Sequence, residues 1–192
     1  MTYDELADRC LLFVEERKQM ITVLLKEAEL EMTRKCNMYE DTRSFTCDGS
    51  ESYALPENYK QVIFLSHDGF KLQPTTEDDI SYADDGTIQA GTPSGYFIRN
   101  NAFHLNYKAS SGTLRISYYG TVDNIQDSSS DPSPIIPKSY HRDLCDYAIA
   151  IAHAKNNPQL HDKYLMSWNR NIAEIISEDA NRELIHTIKR EV

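Results

Sequence analysis

The sequence predicts an α+β chain: a helical bundle, made of a long N-terminal helix and a C-terminal helix pair, with a small antiparallel β module inserted between them. Three observations predict it. Apolar residues from Leu6 to Met32 recur mostly at three- and four-residue steps, the period of one helix face. From Tyr96 to Tyr119, runs rich in Ile, Tyr, Phe and Thr are separated by Asn100-Asn101 and Ser110-Ser111-Gly112, residues that tolerate the positive φ of hairpin turns, so a meander is expected. After Pro137 the helical period returns. The chain divides accordingly into the long helix (1–40), the β module (41–125), an acidic Ser/Pro linker (126–136), the helix pair (137–178) and a C-terminal extension (179–192).

Thr2 and Glu5 have the spacing of a capping box, the hydroxyl accepting from one helix amide while the carboxylate reaches back to another, so a helix starts at once. Leu6, Cys10, Phe13, Val14, Ile21, Leu24, Leu25, Ala28 and Met32 mark its buried face, which predicts one helix of about 45 to 50 Å. Phe45-Thr46-Cys47 then reads as a short strand before the Asp48-Gly49-Ser50 turn. Val62-Ile63-Phe64-Leu65 reads as a buried strand, and His67-Asp68-Gly69 turns it into Phe70-Lys71-Leu72. Thr75 or Thr76 caps a helical turn through Ile80, and Asp84-Asp85-Gly86 turns the chain again.

Residues 126 to 134, QDSSSDPSP, hold no apolar side chain and read as an exposed connection between β and α segments. Pro137 opens a helix whose face is Tyr140, Leu144, Tyr147, Ala148, Ile151 and Ala152. Asn156-Asn157-Pro158 ends it and starts the next, with the stripe Leu160, Tyr164, Leu165, Trp168, Ile172, Ile175 and Ile176. The short connection predicts antiparallel neighbours. Glu178-Asp179-Ala180-Asn181 interrupts the stripe, and Leu184, Ile185 and Ile188 resume it in a tail that nothing local covers.

The chain carries 20 Lys and Arg against 30 Asp and Glu, a net charge of −10. That balance argues against gripping the outside of a duplex, which needs phosphate neutralisation, but not against a like-charged lining past which DNA slides. The surplus of acids lies upstream of residue 136. The four cysteines show no C-x-x-C spacing, and two of them fall on apolar faces of predicted helices as small hydrophobes, which suits a reduced intracellular assembly site. No run approaches the length of a membrane span, the start MTYDELADRC is acidic rather than signal-like, and no membrane association is expected.

Catalytic chemistry finds little support, and the chain is expected not to be an enzyme. No G-x-S-x-G, P-loop or dinucleotide-binding glycine pattern occurs. His141 and His153 are too far apart on one helix to share a ligand, and no metal or other cofactor is expected. The residual enzymatic reading is a hydrolase with a site near His67, Asp68 and His104. Tyr118 and Tyr119 face opposite sides of a strand, one ring inward and one outward.

In their order, these features resemble the head-to-tail adaptor, or connector, proteins of tailed bacteriophages. The resemblance rests on the N-terminal amphipathic helix, Leu55-Pro56-Glu57-Asn58-Tyr59 leading to a hairpin with Asp68-Gly69, the meander ending in Ile116-Ser117-Tyr118-Tyr119-Gly120, and Ile136-Pro137-Lys138-Ser139-Tyr140-His141 before a Tyr/Ala-rich helix pair. It implies a structural virion protein, assembled in the host cytoplasm as a ring, commonly of twelve copies, at the head-tail interface. Its partners would be the portal protein above, a tail or nozzle protein below and its own neighbours, with double-stranded DNA passing through unbound. The resemblance assigns portal contact to the extension, with Leu184, Ile185, Ile188, Lys189 and Arg190, and a tail or neighbour interface to Phe70, Tyr96, Phe97, Tyr118 and Tyr119. A related head-closure or tail-completion ring protein is the alternative. The acidic loop from Gln126 to Pro134 has no counterpart in the family.

Overall fold

The computed structural model describes residues 1–122 and 133–188, with side chains described through residue 180. Four helices and two small sheets make it a mixed α+β chain. It divides into two compact units: Met1–Tyr39 together with Thr121–Val192, and Glu40–Gly120.

The first unit is helical. α1 (Tyr3–Cys10) opens on the expected capping box, with the Thr2 hydroxyl accepting from the Glu5 amide at 3.2 Å and the Glu5 carboxyl accepting from the Thr2 amide at 2.9 Å. The single long helix read from the sequence is in fact two, because α1 stops at Cys10 and α2 spans Lys18–Lys35. Between them Leu12 and Phe13 donate to the carbonyls of Arg9 and Cys10, three residues back, and the chain reverses. The reversal brings Lys18 to 2.8 Å from Asp8, while Tyr3, at the other end of α1, hydrogen-bonds Glu29 far along α2. The two helices are therefore antiparallel. No Pro or Gly marks the break. It is stabilised instead by tertiary contacts, among them the His153 ring donating to the Phe13 carbonyl at 3.1 Å.

α3 (His141–His153) follows a 3-10 turn over Lys138–Tyr140 that Pro137 caps. α4 runs from Pro158 to Ile188, with Asn157 accepting the Leu160 amide at 3.2 Å in front of the N1 proline. It continues unbroken through Glu178-Asp179-Ala180-Asn181, since an interrupted apolar stripe does not interrupt backbone hydrogen bonding. All four helices share one core, in which Leu6, Ile21, Leu25, Met32, Leu144 and Trp168 are buried. Each such side chain contributes on the order of 1.5–3 kcal/mol. Glu29 is buried among them and ties the approach to α3 back onto α2 through the amides of Ile135 and Ile136.

The second unit is all β apart from a 3-10 turn at Glu77–Asp79. Its strands are β1 (Glu40–Thr46), β2 (Ser52–Ala54), β3 (Tyr59–His67), β4 (Phe70–Lys71), β5 (Gln73–Pro74), β6 (Gly95–Arg99), β7 (Ala102–Leu105) and β8 (Thr113–Gly120). They form two four-stranded sheets, ordered β1-β8-β3-β4 and β2-β7-β6-β5. Pairing is antiparallel except between β5 and β6, where Gln73 and Pro74 run parallel to Gly95 and Tyr96.

This topology corrects the expected meander. β6 and β7 form a hairpin whose Asn100 and Asn101 both take positive φ, 51° and 58°, the mark of a type I′ turn. β8, however, leaves β7 and enters the other sheet between β1 and β3. The seven residues from Asn106 to Gly112 allow that switch, because the turn chemistry of Ser110-Ser111-Gly112 fixes a bend and not a partner. Leu65, Leu72, Phe103, Leu105, Leu114 and Ile116 fill the core of this unit, with Phe45, Tyr53 and Phe103 in mutual ring contact.

Candidate interaction surfaces

The five aromatics assigned to a tail or neighbour interface do not form one surface. Tyr96 is 7 % exposed and Tyr118 2 %, and both belong to the core of the β unit. The Tyr118 hydroxyl sits 2.9 Å from oxygens of both Asp41 and Asn58, so that ring and its polar tip are satisfied inside the unit. Phe97 is half-buried and stacks on His104 with centroids 4.8 Å apart, while Tyr119 is half-buried on a strand paired on both sides. Only Phe70, at 78 % exposed on the short strand β4, presents a whole aromatic face to solvent. Alternation along β8 correctly put one of Tyr118 and Tyr119 inward.

His67, Asp68 and His104 are not assembled into a catalytic site. His67 ends β3 in one sheet and His104 lies on β7 in the other. His67 is buried, its Nε2 is 3.1 Å from the Ser111 carbonyl, and Asp68 lies 3.7 Å from it. Asp68 instead accepts the Thr113 amide at 2.8 Å and takes φ 48° at the turn. Beside them Gly112, at φ 101°, leaves no room for a Cβ, which would approach Asp68 and His67 atoms to 2.5 and 2.6 Å. The cluster fastens a turn. Among the described residues no group of three or more His, Cys, Asp or Glu side chains is placed to hold a metal ion.

The helical unit offers a recess that sequence patterning did not single out. It measures about 510 Å³, with Leu6, Phe13, Ile149 and Tyr164 as apolar walls and Arg9, Arg142 and Lys163 as cations. Its acid, Asp146, accepts from Ser167 at 2.8 Å. None of the three cations forms an ion pair among the described residues, in a chain with ten more acidic than basic residues. Cys145 lies in the wall. A hydrogen bond from Cys10 draws the Cys145 thiol below its ordinary value, and the same contact, with burial, raises that of Cys10. The signal in the sequence was weak, since Arg9, Arg142 and Lys163 come from three separate helices.

α4 carries Leu184, Ile185 and Ile188 on its last turns, with their side chains outside the described residues, as are Lys189 and Arg190. Residues 126–132 of the acidic linker also lie outside them.

Over residues 1–187 the sequence matches a family described as SU10 adaptor protein. The chain belongs to that family. No curated protein matches it at a significant level. The family is one of phage adaptors, structural virion components rather than enzymes, and such adaptors work through contacts with other virion proteins. No helix among the described residues is long and apolar enough to cross a membrane.

Proposed function

We propose that this adaptor forms a ring, of twelve copies, beneath the portal of a phage capsid, joins the capsid to a tail or nozzle protein, and lets double-stranded DNA pass during packaging and ejection. The observation that carries the reading is the family match along nearly the whole chain. The helical units act as bundles side by side around the channel, and exposed groups of the β unit, Phe70 foremost, meet a neighbour or the tail. The end of α4 and the residues after it, with Leu184, Ile185, Ile188, Lys189 and Arg190, reach the portal.

The acidic composition supports passage without grip. Twelve copies at −10 each hold about −120 in formal charge. Carboxylates facing the channel repel phosphates and leave no counterion release to favour binding, so DNA slides. Assembly occurs in the host cytoplasm and is templated by the portal, because a ring of weak lateral contacts gains stability when one partner holds all copies. Sedimentation of the purified chain with and without portal tests this. Monomer alone and a closed ring with portal are expected; a stable ring without portal sinks the templating, and no association at any concentration sinks the adaptor reading.

A further inference from the structure

We propose that the cation-lined recess of the helical unit receives the acidic loop Glu77–Asp85 of a second copy, with Tyr82 as its anchor. The inference rests on the ring reading above and names the lateral contact that would build it.

The recess has an apolar floor of Leu6, Ile149 and Tyr164 and three cations, Arg9, Arg142 and Lys163, without ion-pair partners among the described residues. At about 510 Å³ it is large enough for one aromatic side chain and its flanking backbone. The loop supplies the complementary chemistry. Glu77, Asp78, Asp79, Asp84 and Asp85 are all exposed, and between them Tyr82 is 55 % exposed, held in place by a bridge to Ile88. Glu77 pairs with Arg99, Asp79 closes a capping box with Thr76, and Asp85 accepts the Thr87 amide and hydroxyl at 2.9 and 2.7 Å. Those bonds hold the Asp79 and Asp85 carboxyls below the ordinary carboxylate range and shape the loop. Asp78 and Asp84, on either side of Tyr82, have no hydrogen-bond or ion-pair partner among the described residues.

Two carboxylates flanking an exposed ring match three cations, Lys163 among them lying over the Tyr164 ring, around a recess whose one acid, Asp146, is held by Ser167. Burying the ring exploits its rigidity and large area, and the ion pairs at the rim fix register and speed encounter more than they add affinity. The contact joins two different surfaces, so it is heterologous, and a heterologous contact repeated from copy to copy generates a ring when its rotation closes.

The test replaces Tyr82 with the photo-crosslinking residue p-benzoylphenylalanine and irradiates rings assembled on portal from an equal mixture of nitrogen-15-labelled and unlabelled chains. The expected result is mixed-isotope links from position 82 to peptides carrying Phe13, Ile149 or Tyr164. Rings whose links fall elsewhere, or only within single chains, overturn this inference and leave the ring reading standing; failure of the unaltered chain to form rings overturns both. In parallel, Arg142→Glu lowers ring yield about tenfold at low salt, and adding Asp84→Arg to the same chain restores it. Full yield from Arg142→Glu, or a loss that Asp84→Arg does not repair, refutes the pairing. Arg142 is exposed, and circular dichroism of the variant confirms that its helices are intact.

Discussion

Glu29, in the middle of α2, accepts the backbone amide of Ile136 at 3.1 Å, across 107 positions of sequence. The same oxygen accepts the Ile135 amide at 2.5 Å, and the other oxygen takes the Tyr3 hydroxyl. One buried carboxyl group thereby joins α1, α2 and the segment that leads into α3, accepting from three donors.

Glu29→Ala removes the acceptor of the buried Ile136 amide, and an orphaned buried group costs about 1–3 kcal/mol, so a loss of about that size is expected. Glu29→Gln keeps one acceptor oxygen for the two amides and loses less. Trp168 is the single tryptophan of the chain and is buried in the helical core, so its fluorescence during urea unfolding reads the effect. Equal losses in the two variants would show that the contact to Tyr3 dominates.

Asn100 and Asn101 hold the β6–β7 turn at positive φ, where a branched side chain is strained. Asn100→Val should cost about 1–2 kcal/mol, whereas Asn101→Gly should be neutral or slightly stabilising. Urea midpoints followed by far-ultraviolet circular dichroism compare them; an unchanged midpoint for Asn100→Val would mean that the turn relaxes to another type.

Asp143 on α3 is buried and accepts from Asn171 on α4 at 2.7 Å. Burial raises its carboxyl above the ordinary range, more than the Asn171 bond lowers it. The folded state therefore holds this proton more tightly than the unfolded chain. Stability from this group is complete at pH below its ordinary value, and is lost as pH rises from there through the raised folded value. Asp143→Asn keeps a partner for Asn171 and carries no charge. It should raise the melting temperature at about pH 7 and leave it nearly unchanged at about pH 3, relative to the parent chain. A gain of equal size at both pH values would point to packing instead of ionisation.

Residues 181–192 follow Asp179, whose carboxyl accepts the Asn37 amide at 3.1 Å and helps hold α4 to the helical unit. Truncation after Ala180 keeps that bond. The shortened chain should retain its cooperative unfolding and lose only the helical signal of the removed turns, while its attachment to portal falls. Collapse of the fold would show instead that Leu184, Ile185 and Ile188 serve the chain's own core.

The sequence by itself determined several helix starts and the hairpin turns. Thr2 with Glu5 at α1, Asn157 with Pro158 at α4, and Asn100-Asn101 and Gly69 in the hairpins all stand where their local chemistry put them, and of the two caps offered for the turn through Ile80 the structure uses Thr76. Each signal acts over three or four residues, through a φ value or a capping bond, and needs nothing distant. The order of segments likewise carried the resemblance to phage adaptors. Tertiary structure alone decided the rest. The break between Cys10 and Lys18 carries no local breaker, and with it α1 and α2 place Leu6, Cys10, Ile21 and Leu25 in one buried core. β8 chose β1 and β3 over its sequence neighbour β7, and that choice sent Tyr118 into a core where an interface ring was expected. The recess of Arg9, Arg142 and Lys163 has the same origin, because residues from three helices meet only when long-range packing selects which faces touch.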